Sequence, residues 1–251
     1  MSERGVSEAL GFVIVFSLVL LTATAASVGG IQSLESTSEF QEVENTERAF
    51  GILASNLAEI HDERVPSRAT EITVSQGRLQ YGATTTLNVT AEDGASTSER
   101  TYDIAPIVYE LPPDRRIVYA GGAMFRMNGE DGVVVRDPPF RLKNQRVLIS
   151  AVATTTNDTS RTVGSTTVLV RAEATSRNLS LADSDGTYDD VFVNVTSERA
   201  DLWQNYLEET DMEDCTTGTD ADGEEFVECH LGASPEAVYL SATGIEVRFE
   251  S

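Results

Sequence analysis

Two cysteines, two histidines and several acidic turns are the residues of this 251-residue chain whose types and spacing could do chemistry. Cys215 and Cys229 stand 14 positions apart. In an oxidising compartment such a pair closes a disulfide, and a loop of that size stabilises a fold by roughly 3 kcal/mol on the chain-entropy account. Two free thiols, or a metal pair with His230, are the alternatives, and the second has too few ligands at hand. Asp220-Ala221-Asp222-Gly223-Glu224-Glu225 and Asp183-Ser184-Asp185-Gly186-Thr187-Tyr188-Asp189-Asp190 offer carboxylate oxygens of the kind that hold calcium. Neither has the acidic spacing or closing Glu of an EF-hand loop, so both read as acidic turns and no metal site is expected.

Catalytic constellations fail in turn. The chain has no Gly-x-Ser-x-Gly elbow and no phosphate-binding P-loop. His61 falls on a helical segment and His230 beside Cys229, and neither has a Ser and an Asp in its sequence surroundings. Carboxylate pairs are recognised by separation in space rather than in sequence, which leaves a tethered hydrolase as a distant third reading. No enzyme activity and no cofactor are expected. Four glycosylation sequons begin at Asn88, Asn157, Asn178 and Asn194. Asn157 and Asn178 are the stronger acceptors, because Asn88 and Asn194 fall within candidate strands, where the face decides exposure.

Composition narrows the classes further. The chain carries 18 basic against 41 acidic side chains, for a formal net charge of −23. Nucleic acid needs clustered Lys and Arg to neutralise its phosphates, and there is no such cluster, so nucleic acid is excluded as a partner. Lys143 is the only lysine. A surface this acidic repels itself unless salt screens it, and at about 1 M the Debye length falls to about 3 Å. Excess carboxylate with almost no lysine therefore points to a halophilic protein. Two His and two Cys leave almost nothing for a zinc centre or a haem.

The elements that would position these residues begin with the N-terminus. Residues 9–28 form a run of twenty without a charge. As a helix they span roughly 30 Å, the thickness of a hydrocarbon core. The run is longer than a secretory signal core and lacks a clear cleavage site after it, so a single-pass transmembrane helix over residues 6–30 is expected. Arg4 precedes it, while Glu35, Glu39, Glu42, Glu44 and Glu47 follow with no basic residue until Arg48. The positive-inside rule then puts the N-terminus in the cytoplasm and the rest of the chain outside the cell.

The same residues carry a resemblance. Arg4-Gly5 followed by Val6-Ser7-Glu8-Ala9-Leu10-Gly11 and the apolar run resembles the class III signal peptide of archaeal type IV pilin-like proteins. The resemblance implies that residues 1–5 are a leader, cut between Gly5 and Val6 by a prepilin peptidase, and that the helix stays on the mature protein. It also implies other pilin-like subunits as partners. Bacterial members carry Glu at the fifth mature position, where this chain has Leu10 and places Glu8 third. The remainder is similar to an uncharacterised group of haloarchaeal pilin-like membrane proteins through VVVRDPPF at 133–140 and the segment around Trp203 after Ser197.

Beyond residue 30, Val43, Phe50, Leu53, Leu57 and Ile60 recur at helical spacing, which predicts an amphipathic stalk helix over residues 31–65 that Pro66 ends. From Thr70 the pattern changes to period two. Segments 72–74, 86–90, 107–109, 147–149, 167–170, 191–195 and 245–249 are rich in Val, Ile, Thr and aromatics, and polar turns such as 92–94, 128–132 and 183–186 separate them. They predict a mostly antiparallel sheet, or two packed as a sandwich, over residues 66–251. One short helix interrupts it, capped by Ser197, with Leu202, Trp203, Tyr206 and Leu207 on one face.

The expected class is α+β: a long N-terminal helix, membrane-spanning and then amphipathic, followed by a mostly antiparallel β-rich extracellular domain with one short helix. The expected function is that of a non-catalytic pilin-like surface protein, anchored or assembled through its apolar helix and serving adhesion or surface structure. The alternative is a membrane-anchored binding or envelope protein that does not polymerise.

Overall fold

The computed structural model describes residues 3–94, 96–143, 146–159, 161–183, 188–210, 212–231, 235 and 237–250. It describes their side chains except in residues 3–9, 25–40, 142–143 and 182–183. In chain order the elements are α1 (Glu3–Asp62), β1 (Ser67–Tyr81), β2 (Thr85–Glu92), β3 (Thr97–Ile104), β4 (Ile107–Leu111), β5 (Arg115–Ala120), β6 (Ala123–Asn128) and β7 (Asp131–Arg136). They continue with β8 (Phe140–Lys143), β9 (Arg146–Thr155), β10 (Thr162–Asp183), β11 (Asp190–Thr196), α2 (Ala200–Glu208), β12 (Glu213–Thr219), β13 (Glu225–His230) and β14 (Ala237–Glu250). Among the described residues, fourteen strands against two helices make the protein mostly β, which corrects the α+β expectation. The chain divides into two compact units, Met1–Asn45 and Thr46–Ser251.

The transmembrane helix and the single-pass membrane localisation are also corrected. Among the described residues no helix is long and apolar enough to cross a membrane.

In the second unit the strands form two sheets. The larger has nine strands in the order β7-β6-β5-β4-β1-β10-β14-β9-β8, and the smaller has five in the order β12-β13-β11-β2-β3. All pairs are antiparallel except β14 with β9, where Val238 sits beside Val147. Every segment the sequence marks as a strand lies in one. In β2 and β11 buried and half-buried residues alternate strictly, because one face meets the core and the other water. Val89, Val193, Phe125, Ile149, Leu240 and Trp203 belong to one continuous apolar core, which fills the space between the sheets and under α2.

The far face of the large sheet is covered too. Phe50, Leu53, Ala54, Leu57 and Ile60 of α1 are buried. Polar contacts fix this stretch along the sheet: Asn56 donates to Thr70 of β1 at 2.8 Å, and His61 shares a 2.8 Å hydrogen bond with Thr243 of β14. Arg126 of β6 pairs with Glu47 at 3.0 Å, and Arg136 of β7 donates to Ser55 at 3.1 Å. Helix cover explains why β4 and β5 are buried on consecutive residues rather than alternate ones.

In α2 the residues Leu202, Trp203, Tyr206 and Leu207 are buried, as their spacing requires. Its N-cap is Arg199, with no side-chain cap. Ser197, expected to cap, sits two residues earlier. There its hydroxyl accepts from the Arg199 amide at 3.3 Å and its carbonyl from the Ala200 amide at 3.0 Å.

Candidate functional site

Along residues 10–24 of α1 the side chains are exposed all round the helix. Leu10, Phe12, Val13, Ile14, Val15, Phe16, Leu18, Val19, Leu20 and Leu21 are each more than half exposed. Thr22 donates to the Val19 carbonyl at 2.9 Å and Thr24 to the Leu20 carbonyl at 2.8 Å, which engages both hydroxyls with the helix backbone. Phe12 and Phe16, one turn apart, stack at 5.9 Å. Buried apolar area is worth roughly 25 cal/mol per Å². An exposed, largely apolar cylinder of this kind is a candidate interaction surface. Gly5 and Val6, between which the resemblance places the cut, lie in the first turns of α1.

At the other end of α1 a cleft of about 380 Å³ opens beside His61. Ala54, Ala58, Val152, Tyr119 and Phe140 give it apolar walls, and His61, Asp62, Arg136, Asp137 and Arg141 give it charge of both signs. No Ser, Thr or Cys lines it. The hydroxyls that meet His61, Thr243 at 2.8 Å and Ser241 at 3.5 Å, hold the ring against β14, and burial keeps its pKa below the ordinary value of 6.5. Burial likewise pushes the Tyr119 hydroxyl far up. The arrangement offers an imidazole of lowered pKa, held in place by two hydroxyls of β14.

The other predicted residues are placed separately. Cys215 and Cys229 form a disulfide that joins β12 to β13. In the loop between them Asp220 Oδ1 accepts from the amides of Asp222 and Glu224, both at 2.9 Å, so its carboxylate is used by its own turn. Residues 184–187 of the other acidic turn lie outside the described residues. Among the described residues no three His, Cys, Asp or Glu side chains gather as metal ligands. His230 meets Asp190 at 2.6 Å and stacks on Phe192 at 4.9 Å. That partner lies 40 residues away, so the surroundings of His230 in the sequence do not show it.

Asn157 and Asn178 are exposed, the first with its amide directed to Glu246. Asn88 and Asn194 are half-buried on the outer face of the small sheet. There Asn88 donates to Glu99 and Thr101, and Asn194 to Glu228 at 3.2 Å.

No curated protein and no solved structure matches the chain. A family of unknown function, DUF7289, matches residues 4–248, a span that takes in α1 and both sheets. The chain therefore belongs to the family of unknown function DUF7289.

Proposed function

We propose that the protein is a non-catalytic, pilin-like surface subunit that assembles with copies of itself and related subunits through residues 10–24 of α1. The observation that carries the reading is the apolar cylinder itself, ten large side chains exposed on every side of one helix. A monomer that left this surface in water would forfeit the free energy of covering it, and packed copies of the same helix provide that cover. Two further features support it. Residues 46–62 of the same helix lie on the large sheet, so that α1 serves one unit as a structural element and presents its other end for assembly. The disulfide suits a protein that works in an oxidising environment. A prepilin peptidase cutting between Gly5 and Val6 would free the helix for packing, and adhesion or surface structure would be the role of the assembled β-units.

Cross-linking tests the reading directly. Both native cysteines are held in the disulfide, so a single new thiol is unambiguous. In the F16C chain, mild oxidation is expected to give covalent dimers through the apolar helix, while N157C, in an exposed loop of the β-unit, stays monomeric. A chain with F16C, V13C or L20C that yields no dimer would overturn assembly through this helix.

A further inference from the structure

The start of α2 holds a buried positive charge. Arg199 is 2% exposed. Its Nη1 meets Glu198 Oε2 at 3.3 Å, but the Glu198 side chain is 56% exposed and approaches from the solvent side. The Nε and Nη2 atoms are buried and have no hydrogen-bond partner. These two form the side of a guanidinium that grips an oxyanion with two parallel bonds. One turn along α2, Trp203 Nε1 is a third buried donor without an acceptor.

A second arginine comes to the same place from the large sheet. Leu202 of α2 and Met127 of β6 both lie against Gly132, and Met127 is the cross-strand partner of Arg116 in β5. Arg116 Nη2 donates to the Gly129 carbonyl at 2.8 Å, while its Nε is buried and unpartnered. Burial lowers the pKa of Arg199 most, Glu198 and Asp201 oppose that shift, and Arg116 lies close enough to reinforce it. The first-turn amides of α2 do not account for the site. Those of Arg199 and Ala200 are taken by Ser197, and those of Leu202 and Trp203 by the Arg199 carbonyl.

A buried charge with open donors is expensive unless an acceptor fills them. We propose that Arg199 and Arg116 bind a small inorganic anion, a halide or an oxyanion, between β5 and the start of α2, with Trp203 Nε1 as an added donor. The chain's net charge of −23 does not forbid this. Surface carboxylates act through water and salt over about 10 Å, whereas the guanidinium edge touches its ligand where the dielectric is low.

The test is thermal unfolding of the full chain at constant ionic strength. Sodium gluconate, a large organic anion, is replaced stepwise by sodium chloride, bromide or sulfate. The midpoint is expected to rise by about 3–6 °C for each tenfold rise in the bound anion above its dissociation constant. A halide response assigns a halide, and a sulfate response an oxyanion. The rise should vanish in R199M and, where that chain folds poorly, in R116M. Bromide-grown crystals should show an anomalous peak within hydrogen-bond reach of Arg199. Equal midpoints in gluconate, chloride and sulfate, or an anion response unchanged in both variants, would overturn the site. So would an ordered water in the place of the bromide.

Discussion

Burial lowers the pKa of His61, and this makes it one residue through which pH reaches the fold. Its side chain is 7% exposed, between Thr243 and Ser241 of β14 and the end of α1. Burial lowers its pKa most, Asp62 opposes that shift and Arg177 reinforces it. A depressed folded pKa means that the unfolded chain takes up a proton the folded chain refuses. The stabilisation is therefore complete above about pH 7 and is lost as pH falls below 6.5 through the folded value. Between pH 7 and 5.5, where carboxylates stay ionised, the unfolding midpoint should fall in the natural chain and much less in H61Q. Equal slopes in the two chains would refute the role.

Trp203 is the other residue on which much rests. It packs edge-on to Phe125 at 5.5 Å and beside Phe140 at 6.3 Å, and W203A is expected to lose about 3–5 kcal/mol in denaturant unfolding. The sequence identifies Trp203 as an anchor by its helical spacing. It does not reveal the partners of His61, because Thr243 lies 182 residues away and only the sheet pairing brings the two together.

At the scale of elements, legibility follows how many faces of a strand are covered. β2 and β11 bury one face and show alternation that reads directly as strand. β4 and β5 lie under α1 on one side and the sandwich core on the other. Their apolar residues therefore run together: β4 still reads as a strand at 107–109, while β5 and β6 pass unnoticed. β12 buries almost nothing, so no hydrophobic pattern announces it. It is an edge strand held by one neighbour, β13, and by the disulfide to Cys229, itself fully buried. Replacing both cysteines by alanine is expected to lower stability by about 2–4 kcal/mol. Amide exchange should quicken in β12 before it does in β11. Uniform exchange across both strands would show that the bond is dispensable to this edge.

The stretch of α1 on the large sheet makes a similar prediction. L57A should remove about 2–5 kcal/mol, measured in denaturant, because Leu57 is wholly buried there.

In the proposed assembly two forces compete, self-repulsion among the acidic β-units and attraction between apolar helices. The charge of −23 predicts that the unfolding midpoint rises as salt goes from 0.1 to 1 M, where screening shortens from about 10 to about 3 Å. This part of the response should appear in gluconate as well as chloride, which separates it from a bound anion. The same screening favours association, since it weakens repulsion between neighbours while leaving apolar packing intact.

Sedimentation velocity of the purified full chain in molar salt therefore tests assembly most directly. We expect species many times the 27.1 kDa of one chain, and conversion to the monomer by L18E, which puts a charge into the packed helices. A natural chain that sediments as a single 27.1 kDa species, indistinguishable from L18E, would contradict assembly through α1.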